Sequence, residues 1–116
     1  MDAKWKLVYY ETEQGKSPVF NFVNSLELKV RTKVADTLDL LKEFGTKIGM
    51  PYAKKLAGSE LWELRILGSD SIRIFYVAIV DKNFLLLHGF QKKKQKTDRR
   101  EIKTAERRLR DFWERQ

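Results

Sequence analysis

The sequence predicts an α+β fold, in which helices pack on one face of an antiparallel sheet, in the order strand, helix, helix, strand, strand, strand, helix. Two apolar runs, residues 71–80 and 83–90, are separated by a two-residue turn and predict a hairpin. Apolar residues recur at helical spacing both before and after this hairpin. A chain of 116 residues suffices for one core but not two, so residues 1–116 are expected to form a single domain.

The first 45 residues predict a strand and two helices. Residues 4–10 are rich in strand formers and would lie at a sheet edge. Ser17 and Pro18 are typical of a helix start, because Ser caps free N–H groups and Pro at the first helical position loses no hydrogen bond. A second helix is expected from about Glu27 to Phe44, ending at Gly45. The predicted inward residues are Val19, Phe22, Val23, Leu26, Val30, Val34, Leu38 and Leu41.

The middle of the chain predicts a connector and then a strand. Residues 47–59 contain two glycines and a proline and are expected to be a connector, with one helical turn at residues 52–56. Residues 61–67 alternate as in a half-buried strand. One face of this strand would carry Trp62, Leu64 and Ile66, and the other Glu63 and Arg65.

The last helix is predicted from a capping pattern. Asp98 and Glu101 have the spacing of a capping box, in which the two side chains bond reciprocally to backbone N–H groups. The inward face of this helix would carry Ile102, Ala105, Leu109 and Phe112.

Positive charge is concentrated at the end of the chain. The formal net charge is +8, and residues 91–116 hold eleven Lys and Arg against five Asp and Glu. This excess favours a polyanionic partner such as nucleic acid or the ribosome.

The residue inventory excludes several kinds of chemistry. The chain has no Cys and a single His, so a His/Cys metal site cannot form, and neither a metal nor a cofactor is expected. No phosphate-binding glycine pattern and no Ser-His-Asp set is visible. No signal peptide or membrane-length apolar run is seen, so a cytoplasmic protein without membrane contact is expected.

Lysine and arginine in quantity remain, and they suit cleavage of RNA. RNA carries its own nucleophile, the 2′-OH beside the phosphorus. A lysine crowded by other cations can act as a base near neutral pH, and arginine can hold the phosphate oxygens through its planar fork. DNA has no such hydroxyl, so this residue set favours RNA as the substrate.

Several segments together resemble the RelE/HigB toxins, and above all their phage-derived HigB-like branch. They are Leu61-Trp-Glu-Leu-Arg65, Ile72-Arg-Ile-Phe-Tyr76, Leu87-His-Gly-Phe-Gln-Lys-Lys-Lys-Gln-Lys-Thr97 and Glu101-Ile-Lys-Thr-Ala105. The likeness covers nearly the whole chain, since the opening strand and two helices also match in order. Asp98 stands where the pattern leads us to expect proline.

The resemblance implies an RelE-like fold and an mRNA interferase: a toxin that hydrolyses mRNA, usually on the ribosome, and so inhibits translation and arrests growth. A cognate antitoxin, expected to be a small helix-turn-helix protein, would silence it. By motif, Arg73, Arg65, Lys92 and Lys93 are the implied catalytic residues. The expected RNA-binding residues are Lys54, Lys55, Lys94, Lys96, Arg99, Arg100 and Tyr76.

Other interpretations stay open. Arg65 and Arg73 could pair with Glu63 and Asp70 on a solvated face, and the lysine run could be a solvated loop. His88 is typical of a sheet histidine with a local hydrogen bond. For the whole chain, the alternatives are a DNA gyrase inhibitor of the ParE type or a plain ribosome- or nucleic-acid-binding module.

The period-two alternation of strand side chains gives a specific prediction about the faces on which Arg65 and Arg73 lie. Arg65 and Arg73 share a sheet face only if their hairpin loop has an odd number of residues. Pairing Leu67 with Ser71 leaves the three-residue loop 68–70 and sets the arginines opposite each other. We expect both guanidinium groups on the open face of the sheet, beside the lysine-rich end of the last strand, with the helices on the other face.

Overall fold

The computed structural model describes residues 4–69 and 71–116 and shows a five-stranded sheet with three helices. The α+β class predicted from the sequence is confirmed. The elements are β1 (Lys6–Tyr9), α1 (Pro18–Asn24), α2 (Leu28–Phe44), β2 (Ala53–Lys55), β3 (Trp62–Arg65), β4 (Ile72–Ile79), β5 (Asn83–Gln91) and α3 (Arg99–Glu114). In the sheet the strands are ordered β1-β5-β4-β3-β2.

The predicted helix boundaries are confirmed. Pro18 opens α1 with Ser17 at the capping position, although the Ser17 side chain makes no capping hydrogen bond. α2 ends at Gly45, whose φ of 58° lies in the region that glycine adopts without strain. Asp98 caps α3 and accepts a hydrogen bond from the backbone N of Arg100 at 2.9 Å.

The sheet differs from the expected one at both edges. β1 is an edge strand as predicted, but it pairs parallel to β5, whereas the other three pairings are antiparallel. The helical turn expected at residues 52–56 is wrong, because this segment forms β2 and pairs with β3. Pairing with β3 satisfies backbone groups that an isolated helical turn would leave hydrogen-bonded only to water. Arg65 N donates to Tyr52 O at 2.7 Å, and Leu56 N donates to Leu61 O at 2.9 Å.

The expectation that all helices cover one face is also wrong. α1 and α2 pack on one face of the sheet, and α3 packs on the other. The cause lies in residues 74–77 and 84–87, which are buried without a break. Strands apolar on both faces need cover on both.

Two cores result, one on each face, so the expectation that the chain length allows only one core is wrong, because the sheet separates two apolar layers. The sheet side of the α1/α2 core contains the strand residues Leu64, Ile72, Ile74, Tyr76, Phe84 and Leu86, together with Ile66 directly after β3. The α3 core contains Leu61, Phe75, Val77, Leu85, Leu87 and Phe90, and it meets the predicted inward residues of α3. None of the helices in the described part of the chain is long and apolar enough to cross a membrane.

Candidate functional site

Arg65 and Arg73 face each other across the β3–β4 ladder, and we call them the arginine pair. Ile66 N donates to Ile72 O at 3.1 Å, which continues the register that leads to the odd loop. The predicted shared face is therefore confirmed. Asp70, the other carboxylate named as an arginine partner from the sequence, lies outside the described residues.

The face carrying the arginine pair is not the fully open one that was expected. It is the face that α3 covers, because Glu63, Arg65 and Arg73 alternate with residues of the α1/α2 core. The side chains of Arg65 and Arg73 are 25% and 17% exposed. The pair lies in a partly covered recess at one end of the sheet, beyond the apolar residues that meet α3.

Glu63 lies between the two guanidinium groups, with only 5% of its side chain exposed. Its Oε1 accepts a hydrogen bond from Arg65 Nε at 3.2 Å and lies 3.7 Å from Arg73 Nε. Arg73 Nε is buried and has no hydrogen-bond partner in the structure. One carboxylate therefore serves two cations, and a net positive charge remains.

Burial lowers the pKa of Arg73, Glu63 raises it, and the charge of Arg65 adds a smaller lowering. An arginine with an ordinary pKa above 12 stays charged in this environment. Desolvation strengthens its pull on an incoming anion, because a cation that has already lost water gives up less hydration on binding.

The loop after β5, residues 92–98, is called the lysine loop. Lys92 N donates to Ser71 O at 2.8 Å, which holds the start of the loop beside β4. At the other end, Thr97 Oγ1 lies 3.5 Å from Glu63 Oε2, at the limit for a hydrogen bond. Arg73 and Ser71 line an open groove together with Lys92, Lys93, Lys94 and Gln95. The structure thus brings Arg73 together with both lysines predicted to be catalytic.

A second hollow, of about 290 Å³, lies on the other side of the same lysines. We call it the Glu101 cavity. It is lined by Phe90, Gln91, Lys92, Lys93, Lys94, Lys96, Asp98, Arg100 and Glu101. Three of the predicted RNA-binding residues, Lys94, Lys96 and Arg100, therefore lie in its wall.

His88 connects the sheet to α3 through a polar chain. Arg108 Nη1 donates to Leu87 O at 2.9 Å and lies 3.1 Å from His88 Nδ1. A guanidinium can only donate, so Nδ1 accepts and the ring proton sits on Nε2, which donates to Glu101 Oε1 at 2.9 Å. Burial lowers the pKa of His88, although the hydrogen bond to Glu101 opposes this. The interpretation of His88 as a sheet histidine with a local hydrogen bond agrees with this arrangement.

Other residues predicted to bind RNA lie elsewhere. Tyr76 is only 3% exposed and belongs to the α1/α2 core, where burial raises its pKa. Lys55 pairs with Trp62, which pairs with Tyr76, so it shares that opposite face. Tyr76 and Lys55 are thus apart from the arginine pair.

The remaining two lie near the site but outside the groove. Lys54 is exposed on β2 directly opposite Glu63, so it lies on the face of the arginine pair. Arg99 is exposed at the start of α3.

Sequence reasoning missed the roles of three residues. Glu63 was considered as an arginine partner only on a solvated face, whereas it is buried and is shared by both arginines. Glu101 was assigned to a capping box, but its side chain instead holds His88. Arg108 is not among the predicted site residues, and nothing in the helix pattern indicates its reach to Leu87 and His88.

No group of three or more His, Cys, Asp or Glu side chains is arranged to hold a metal ion within residues 4–69 and 71–116. The titratable side chains around the groove and the Glu101 cavity include lysines, arginines, Glu63, Asp98 and the Glu101–His88 pair.

A family model described as "Phage derived protein Gp49-like (DUF891)" matches residues 21–110. The match includes the end of α1, all of α2, the whole β2–β5 region and most of α3. None of the curated proteins matches the chain.

Proposed function

The chain belongs to the phage-derived Gp49-like family, a RelE-like family associated with the toxins of toxin–antitoxin pairs, and on this premise we propose that it is an mRNA endoribonuclease. It cleaves mRNA without a metal ion, using the 2′-OH of the RNA as the nucleophile, and it acts on the ribosome. The observation that carries the proposal is the arginine pair, which shares one buried carboxylate and opens beside Lys92 and Lys93.

The arginine pair fits the charge that develops during cleavage. As the 2′-oxygen attacks, negative charge builds on the non-bridging oxygens of a pentacoordinate phosphorus. Two guanidinium groups fixed on adjacent strands offer donors that need not reorganise at that moment. Glu63 occupies the Nε side of Arg65, which leaves its terminal nitrogens for the phosphate.

In the proposed mechanism, lysines of the groove transfer the protons. The 2′-OH loses its proton as the 2′-oxygen bonds to phosphorus, and the 5′-oxygen gains a proton as its bond to phosphorus breaks. The products are a 2′,3′-cyclic phosphate and a 5′-OH. Lys92 and Lys93 supply and accept these protons, because they are the lysines nearest in sequence to the point where β5 meets the arginine pair.

The proposed partners follow from the same surface. An antitoxin that silences the enzyme would cover the groove with acidic or apolar segments, and the chain's net charge of +8 favours an acidic one. The proposal keeps the expectation of a small helix-turn-helix antitoxin and of a cytoplasmic setting.

Cleavage of defined RNA tests the proposal. The purified chain, with mRNA that is free or bound to ribosomes, is expected to cut in the presence of EDTA. It should leave a cyclic phosphate, and a single 2′-deoxy nucleotide at the cut should block that cut. Arg73→Ala should lower the rate by about a hundredfold or more, as the loss of one preorganised donor does elsewhere.

Arg110→Ala is the matched control, because Arg110 is exposed on α3 and lines a different hollow with Trp113 and Glu114. It removes the same charge and should keep the wild-type rate. Cutting at the 2′-deoxy position would rule out the mechanism. Absence of all cleavage, together with inhibition of gyrase supercoiling, would replace the enzyme with the gyrase inhibitor.

A further inference from the structure

The Glu101 cavity has the features of a site for one small ring system. Its volume of about 290 Å³ is close to the lower end of the range for ligand cavities, roughly 300–1,000 Å³. The largely buried Phe90 is among its lining residues, and the lysines provide cations. Lys92, Lys93 and Lys94 line both this cavity and the groove of Arg73. A phosphate in the groove would therefore place the neighbouring nucleotide at the cavity.

Glu101 is held in one orientation by a chain of contacts that starts at the backbone. Leu87 O binds Arg108, Arg108 binds His88 Nδ1, and His88 Nε2 binds Glu101 Oε1. The His88 ring also stacks on Phe90, with ring centroids 5.4 Å apart and planes 17° apart. Within the described ranges, Glu101 makes no ion pair with a lysine. It is a fixed group that can only accept hydrogen bonds.

On the premise of the ribonuclease function, we propose that the Glu101 cavity holds the base next to the cleaved phosphate. Glu101 selects bases with an exocyclic amino group over uracil.

The chemistry of the bases supplies the selection. Cytosine, adenine and guanine each carry an amino group that donates hydrogen bonds, whereas uracil has a carbonyl oxygen at the position of the cytosine amino group. An ionised carboxylate accepts from the amino group and repels the carbonyl. Lys93, Lys94 and Lys96 are exposed and would contact the phosphate backbone, so they would discriminate little between bases.

Binding of RNA that cannot be cut tests the selection apart from catalysis. The probes are hexamers of 2′-O-methyl uridine in which a single cytosine is moved from position to position. For the wild-type chain, one register should bind about three- to tenfold more tightly than the all-uridine probe, the size expected for the net contribution of one typical hydrogen bond. In Glu101→Ala, cytosine and uridine should bind within about twofold of each other in every register.

Two further variants separate selection from folding. Glu114→Ala removes the same charge from the same helix, thirteen residues further on and so about 20 Å away, and it should keep the wild-type preference. His88→Phe keeps a ring beside Phe90 but removes the donor to Glu101, and it should reduce the preference without abolishing it. If Glu101→Ala fails to fold, Glu101→Gln serves instead and should also lose the preference, because its amide donates to the uracil carbonyl.

The outcomes distinguish this inference from the function on which it rests. A wild-type preference for cytosine that Glu101→Ala abolishes supports the cavity, even if no RNA is ever cut. Cleavage of RNA without any such preference would overturn the cavity and leave the ribonuclease standing. A preference that survives in Glu101→Ala would show that another group reads the base, and it would also overturn the inference.

Discussion

Two consecutive residue pairs in the β3–β4 ladder show how differently the sheet uses its faces. Leu64 and Ile74 are paired, fully buried and packed under α1 and α2. One residue further along, Arg65 and Arg73 are paired on the opposite face, with a carboxylate between them. Both pairs lie on the same two strands. The aliphatic pair and the charged pair point to opposite faces only because strand side chains alternate with a period of two.

At this end of the hairpin, the proposed phosphate site and the aliphatic pair of the α1/α2 core lie on opposite faces. The aliphatic pair buries apolar surface at about 25 cal/mol per Å² and defines the register. The arginine pair works against folding, because like charges directly opposite each other destabilise a sheet by up to about 1 kcal/mol. The hairpin tolerates this repulsion because Leu64, Ile74 and their neighbours hold the register from the other side.

The largest expected effects, on stability and on toxicity, come from replacing the adjacent residues Arg73 and Ile74 with alanine, one at a time. Ile74→Ala should lower the free energy of unfolding by about 2–5 kcal/mol, since it leaves a cavity in the α1/α2 core. Arg73→Ala should change it by less than about 1 kcal/mol and yet abolish growth arrest when the chain is expressed alone in bacteria. Urea denaturation and growth curves measure the two effects.

Ile74→Val is the milder control, with an expected loss of about 0.5–1.5 kcal/mol and retained growth arrest. The division between the faces would be refuted if Arg73→Ala unfolds as easily as Ile74→Ala. It would equally be refuted if Arg73→Ala remains toxic.

Glu63 offers a sharper and smaller test. Glu63→Gln keeps the shape of the side chain but leaves the arginine pair without its counter-ion, and it should destabilise the chain by about 1–3 kcal/mol. An anion that binds the folded state should compensate. Added inorganic phosphate should therefore raise the melting temperature of Glu63→Gln more than that of the wild type.

The comparison with Arg73→Ala identifies where the phosphate binds. In the double variant Glu63→Gln, Arg73→Ala, the extra stabilisation by phosphate should disappear. If phosphate stabilises wild type and Glu63→Gln equally, the recess does not act as an anion site.

The sequence predicted well what local periodicity controls. The helix boundaries at Pro18, Gly45 and Asp98 follow from caps and stops that act within one turn. The opposed positions of Arg65 and Arg73 follow from counting residues in a short loop. Both inferences need only neighbours in the chain or in one hairpin.

The sequence predicted poorly which helices cover which face of the sheet. The uninterrupted burial at residues 74–77 and 84–87 indicates cover on both faces, yet one-face packing was expected and α3 was misplaced. The prediction of Tyr76 as an RNA contact accompanied the family resemblance, and alternation alone does not tell which face of a doubly covered sheet meets solvent. The Glu101–His88–Arg108 chain joins residues from β5 and α3, and no single-element pattern contains it.

The smallest expected effect is a pH dependence of stability that belongs to the α3 face alone. His88 is surrounded by Glu101, Arg107 and Arg108 from α3 and Phe75 and Phe90 from the sheet, and burial lowers its pKa from the ordinary value of 6.5. The unfolded chain therefore binds this proton more readily than the folded chain, so the free energy of unfolding falls as the pH drops through about 6.5 and is restored above it.

Melting temperatures between pH 7.5 and 5.5 should decline for the wild type and decline less for His88→Phe. Ile74→Val, altered only on the α1/α2 face, should keep the wild-type slope at a lower melting temperature. An identical slope in His88→Phe would mean that other groups titrate in this range and that His88 is not the pH-sensitive contact between the sheet and α3.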